Sequence, residues 1–314
     1  MNAIGIDLGG TFIKFGIISP GGEVLYEDIM ESNARSSAEN VIDNLISAIK
    51  SCQHVAQKEA LAIAGVGIGS PGIIDKTYRI VLGGADNIEG WFNLNLADRI
   101  EPEVNLPVLL NNDANLMGLG EQAFGAARDC SDVVFITVGT GIGGAVIIDG
   151  KLFGGYDNRG TELGHIPLFA SGIPCSCGGV GCLEAYASTT ALVSMFREKC
   201  RYAGISFQEE INGKLIIKLY QEKHSIAVEV FNDHVDYLGH GIAGLVNIFS
   251  PQRVVIGGGI SEAGDFYIAS VGQAFRKYVM PDCAVNTTIC AAVLGNRAGM
   301  MGAARWVFMK TVLS

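Results

Sequence analysis

Long apolar runs are missing from this 314-residue chain: nowhere do eighteen or more apolar residues follow one another, so no membrane-spanning helix is expected. Charge is also scarce, at 17% Asp, Glu, Lys and Arg, and its balance is −10, which argues against nucleic acid or an anionic membrane surface as the main partner. The opening Met-Asn-Ala-Ile-Gly-Ile-Asp has no basic leader and meets an acid at Asp7, so neither a signal peptide nor an anchor is expected. A disulfide framework is absent too. Of eight cysteines, Cys175, Cys177 and Cys182 crowd together, and Cys52, Cys130, Cys200, Cys283 and Cys290 are an odd, scattered remainder, which makes the cytoplasm the expected compartment. What remains is a 49% hydrophobic chain, long enough for a sizeable core and for two domains.

The densest chemistry lies between Gly160 and Glu184. Glu162-Leu163-Gly164-His165 is followed, nine residues on, by Cys175-Ser-Cys-Gly-Gly-Val-Gly-Cys-Leu-Glu184. Three thiolates and an imidazole (His165, Cys175, Cys177, Cys182) can close a tetrahedral zinc site with no open position, so a structural role is expected for the metal. The alternatives are ordinary buried cysteines, which the Gly-rich context disfavours, and a redox pair, which normally has two residues between its cysteines where Cys175 and Cys177 have one. Glu162 and Glu184 flank the segment as carboxylates suited to the hydroxyls of a polar ligand.

An internal repeat organises the rest. Ala3 to Ile18 and Val134 to Ile148 each read as two apolar strands around a Gly/Thr turn, and each is followed by a second turn and another short apolar stretch. This predicts a duplicated α/β architecture. Between the repeats, Ser36-Ser37-Ala38-Glu39 reads as a capping box before a helix with Val41, Ile42, Leu45, Ile46 and Ile49 on one face. Strands are expected at Ala64 to Ile68, Val108 to Leu110 and Val254 to Ile256, with a helix from Asn111-Asn112-Asp113 through Glu121 and another from Ile226 to Phe249. The two glycine turns, Asp7-Leu8-Gly9-Gly10-Thr11 and Gly139-Thr140-Gly141-Ile142-Gly143-Gly144, leave backbone N–H groups to face an anion. Neither fits the Walker or the dinucleotide pattern, because each turns one strand into another; either is also explained as an ordinary hairpin turn.

These segments together resemble the ROK group of bacterial sugar kinases and sugar-responsive repressors, within the actin-like ATPase superfamily. The resemblance covers nearly the whole chain. It rests on Asp7 to Lys14, Asn112-Asp113-Ala114-Asn115, Thr137 to Gly144, Glu162 to His165, and the complete Cys-x-Cys-Gly-x-x-Gly-Cys-x-Glu signature at Cys175 to Glu184. It implies a duplicated actin-like (ribonuclease H-like) α/β fold with two lobes and a central cleft. A small lobe over 1–117, completed by a C-terminal helix at 296–314, and a large lobe over 118–295 are expected. It also implies ATP-dependent phosphorylation of the 6-hydroxyl of an aldohexose, glucose first.

By the resemblance Asp113 is the catalytic base, at a place that also suits a helix N-cap. Asp7 would hold Mg2+, while Gly9, Gly10, Thr11, Lys14, Thr140, Gly141, Gly143 and Gly257-Gly258-Gly259 would surround ATP; Lys14 can also be read as a solvated strand residue. Asn87, Asn112, Asp113, Glu162, His165 and Glu184 would bind the sugar. The expected partners are a hexose and ATP, with a homodimer or homotetramer implied by the family. Two departures bear on the sugar: many glucose kinases of this group have Glu where this chain has Asn111, and Ala-Gly where it has Gly160-Thr161. N-acetylmannosamine, N-acetylglucosamine, fructose and allose kinases share the same motifs. A non-catalytic sugar-sensing regulator is the alternative of another class; such repressors carry an amino-terminal helix-turn-helix, and here the phosphate motif begins at Asp7.

Overall fold

A computed structural model describes residues 1–34, 37–85 and 88–311. Strands β1 (Asn2–Leu8), β2 (Phe12–Ile18) and β3 (Val24–Glu31) form an antiparallel meander, and α1 (Ala38–Lys58) leads to β4 (Ile63–Ser70). A short ribbon of β5 (Ile73–Ile74) and β6 (Val81–Gly83), then α2 (Leu96–Val104), β7 (Val108–Asn112) and α3 (Asp113–Phe124), follow. Strands β8 (Val133–Val138), β9 (Ile142–Ile148) and β10 (Lys151–Leu152) open the second half. Helices α4 (Leu183–Ala187), α5 (Thr189–Tyr202), α6 (Gly213–Gln221) and α7 (Ser225–Phe249) precede β11 (Arg253–Gly257), α8 (Asp265–Phe275), β12 (Thr288–Ala291) and α9 (Ala298–Thr311).

Both five-stranded sheets follow one plan, β3-β2-β1-β4-β7 and β10-β9-β8-β11-β12. In the first, β4 runs parallel to β1 and to β7; in the second, β11 runs parallel to β8 and to β12. The duplication read from two hairpins therefore extends to whole sheets, as the resemblance noted above implies. By compactness the chain forms one unit of 1–131, 145–161 and 293–314 and another of 132–144 and 162–292.

The first unit is built on α1, whose Val41, Ile42, Leu45 and Ile49 are buried as the 3.6-residue period dictates, with Ile46 half-buried at the edge. Its cap is Ser37, whose hydroxyl accepts from Asn40 N, so with Asn40 and not Glu39 three residues on, the expected capping box reduces to a simple serine cap; Ser36 lies outside the described residues. Helix α9 packs on β1, β4 and α3. Close approach there requires glycine: a Cβ on Gly5 would run into the Met300 carbonyl, and one on Gly302 into the Leu116 carbonyl of α3. At the far end of α3, Glu121 is fully buried, and its carboxylate accepts from Ala126 N at 2.8 Å, Val293 N at 3.0 Å and Leu294 N at 2.8 Å. Three backbone donors satisfy an acid that would otherwise be costly to bury.

Candidate functional site

In the first unit the site residues gather at the ends of β1, β2 and β7. The first glycine turn closes through a bond from Gly9 N to the Phe12 carbonyl, leaving Gly10 and Thr11 exposed. Asp7, one residue before the end of β1, is 3% exposed. Burial pushes its carboxyl above the usual carboxylate range, and the Lys14 ammonium, 3.8 Å away on the paired strand, partly offsets this. Lys14 also donates to Asn296 Oδ1 at 3.1 Å, so its ammonium bridges Asp7 and the segment before α9 and is not merely solvated. A cation bound at Asp7 would replace the solvation that burial removes, and one such carboxylate together with nucleotide oxygens suffices for Mg2+.

Strand β7 delivers Asn111, Asn112 and Asp113 into the start of α3. The cap of this helix is Asn112, whose side-chain oxygen accepts from Asn115 N at 3.2 Å, and not Asp113, which is the first helical residue. Asn112 Nδ2 donates to the Gly72 carbonyl at 3.1 Å, so both ends of that amide are engaged. Asp113 Oδ1 accepts from Ala114 N at 2.9 Å. Asp113 is the acid of the first turn of α3, at the positive end of the helix dipole. Asn87 lies outside the described residues.

In the second unit His165, Cys175, Cys177 and Cys182 bring one ligand atom each to within 4.8 Å of one another. Cys177 Sγ and Cys182 Sγ are 3.7 Å apart, and Cys175 Sγ lies 3.6 Å from His165 Nδ1. A zinc tetrahedron with Zn–S near 2.3 Å and Zn–N near 2.0–2.1 Å has edges of about 3.8 Å (S···S) and about 3.5 Å (S···N). The donor set and these two separations fit that ion, which His165 would then hold through Nδ1.

Glu184, at the start of α4, ties this loop to the second glycine turn. Its Oε2 accepts from Ile142 N at 2.9 Å and its Oε1 from the Ser176 hydroxyl at 3.1 Å. The 3-10 turn Leu163–His165 places Glu162 and His165 on either side of Leu163 and Gly164, both buried. Thr161, just before it, has φ +67°, a backbone region that β-branched residues rarely occupy. This is the position where the resemblance noted above has glycine.

A cavity of about 1180 Å3 opens beside the second glycine turn. Gly139 and Thr140 line it together with Gly259, while Gly141, Gly143, Gly257 and Gly258 are not among its walls. Its opposite walls come from α5 and α6, with Thr189, Arg197, Lys214 and Lys218, none of which the sequence motifs indicated. Thr189 N donates to the Gly139 carbonyl at 2.9 Å and the Thr190 hydroxyl to the Thr140 carbonyl at 2.7 Å, which fixes the turn against the head of α5. With Arg197, Lys214 and Lys218 against Glu210 and Glu262, the lining has a small excess of positive charge, and its volume is that of a nucleotide-sized site.

The ROK family model matches residues 3–310. The chain belongs to the ROK family. It is 35% identical over 311 residues to a glucokinase of Thermotoga maritima, covering 97% of this chain and 96% of that protein. It superposes with a TM-score of 0.83 and 32% identity on a ROK family glucokinase from Streptomyces griseus in complex with glucose and AMPPNP, over 98% of this chain and all of the other. It is also 33% identical to a xylose repressor of Caldicellulosiruptor bescii, covering 95% of this chain and 76% of the repressor. No helix among the described residues of this ROK protein is long and apolar enough to cross a membrane.

Proposed function

We propose that this ROK protein is an ATP-dependent hexose kinase that phosphorylates the 6-hydroxyl of glucose. The observation that carries the reading is similarity to glucokinases along both compact units at once, including one solved with glucose and an ATP analogue. Asp113 is the base and Asp7 the cation ligand, the cavity beside the second glycine turn takes the nucleotide, and Glu162, His165 and Glu184 are ligands of the sugar. Asn112 completes the sugar's contacts. The 6-oxygen attacks the γ-phosphorus as its proton passes to the Asp113 carboxylate, and the bond to the β–γ bridging oxygen breaks to release ADP. Aspartate is by nature a weak base, which suffices because a loose phosphoryl-transfer transition state depends on positioning more than on prior deprotonation. Mg2+, when bound, neutralises charge on the phosphates.

A coupled ADP-release assay over glucose, N-acetylmannosamine, N-acetylglucosamine, fructose and allose tests the assignment. Glucose should give the highest kcat/KM. A tenfold preference for another sugar would move the specificity and keep the kinase; no ADP release with any of them would favour a sugar-sensing role, the reading that similarity to the xylose repressor supports.

Zinc is proposed as a structural ion at about one per chain, held by His165, Cys175, Cys177 and Cys182. The Cys177→Ser variant should lose zinc by atomic absorption, melt at lower temperature and show a raised sugar KM, since structural zinc binding is coupled to local folding and Glu184 joins the loop to the glycine turn. Normal zinc content with unchanged kinetics would count against that role.

A further inference from the structure

Away from every residue assigned above, the first unit carries a groove of about 900 Å3 between the β2–β3 turn, the end of α3 and one face of α9. Its polar lining is cationic. Arg297 and Arg305 follow one another at four-residue steps through Met301, from the turn before α9 along that helix, and Arg128 faces them from the segment after α3. Glu27 is the one acid in the lining, and it is engaged by Arg297 in a two-pronged pair, Nε to Oε2 at 2.6 Å. Arg128 and Arg305 have no carboxylate partner among the described residues, and Arg305 Nε is buried with no hydrogen-bond acceptor.

Three guanidinium groups against one carboxylate leave the lining at +2, in a chain whose balance is −10. Like charges gathered in one groove of an acidic protein repel one another, and a buried guanidinium N–H without an acceptor adds a desolvation cost. The repulsion is removed by a dianion that offers several oxygens to planar forks. A phosphate group has that charge and that geometry, whereas a single carboxylate has half the charge and two oxygens. The groove's volume is that of a small-molecule site, and the chain's overall charge disfavours a long polyanion.

We propose that this groove is a non-catalytic binding site for a small phosphate-bearing anion, held by Arg128, Arg297 and Arg305. The site is independent of the kinase reading, since none of its residues is placed near sugar or nucleotide. Free inorganic phosphate and a hexose phosphate ester present the same group, and titration separates them.

The experiment is calorimetric titration of the full chain with inorganic phosphate and with glucose 6-phosphate, in the presence of glucose and AMPPNP so that other phosphate-accepting positions are filled. Wild-type protein should bind at least one of the two at one site per chain; tighter binding of the ester by tenfold or more identifies the ester, and equal affinities identify the phosphate group alone. The double variant Arg128→Gln/Arg305→Gln should bind at least tenfold more weakly while keeping wild-type kcat. Leu25→Glu, which adds a carboxylate to the groove wall without removing an arginine, should weaken binding in the same way and guards against misfolding of the double variant. Absence of binding by either anion up to about 10 mM, or affinity unchanged in both variants, would overturn the proposal.

Discussion

The Asp113→Asn variant should lose kcat by about 10²–10⁴, the range associated with a general base, or roughly 3–5 kcal/mol of barrier. The amide keeps the size of the side chain and can keep an oxygen facing Ala114 N, so α3 should start where it does now and sugar affinity should largely survive. Because Asn112 is the residue that caps α3, the substitution does not remove the cap, and a fall in kcat cannot be ascribed to fraying of the helix. The measurement is kcat alongside calorimetric sugar binding. Lost affinity combined with near wild-type turnover would make Asp113 a structural residue.

The second large effect concerns the seam between α3 and α9. Gly302→Ala should destabilise the protein by about 3 kcal/mol, because the new methyl meets backbone of α3 that has no rotamer by which to yield. Gly244→Ala, in α7, should do the reverse and stabilise by up to about 1 kcal/mol, since open space surrounds that position and alanine is the better helix former. Thermal denaturation of the two variants side by side checks both signs. Equal melting temperatures would mean that the seam relaxes more readily than its geometry implies.

Which features could be read in the sequence follows from how local their physics is. The two meanders were legible because glycine-threonine turns between apolar strands specify hairpins from within a dozen residues, and α1 and α7 because their apolar faces repeat over many turns. Helix α2 was not, as nine residues with Pro102 inside give too short a period to read. Strand β12, four residues with none fully buried, lacks the apolar signature of a parallel strand. The cluster of His165, Cys175, Cys177 and Cys182 could be named from spacing alone, since the four lie within eighteen residues of one another in sequence. The far walls of the nucleotide cavity could not, because α5 and α6 lie some fifty residues or more beyond the glycine turn and contribute ordinary threonines and lysines. Glu121 would pass for a solvated helix residue; only the approach of residues 293 and 294, distant in sequence, makes it a buried acceptor. Its signal is tertiary.

The discontinuity of the first unit bears on how the chain is made. Residues 1–131 hold most of its sheet, yet α9, which covers β1 and β4, is translated only after about 160 further residues. At roughly 5–20 residues per second that is a wait of roughly 10–30 s. Throughout it the nascent chain presents the bare glycine-floored face of β1 and β4 outside the ribosome, a surface on which a holding chaperone could act until the last helix emerges.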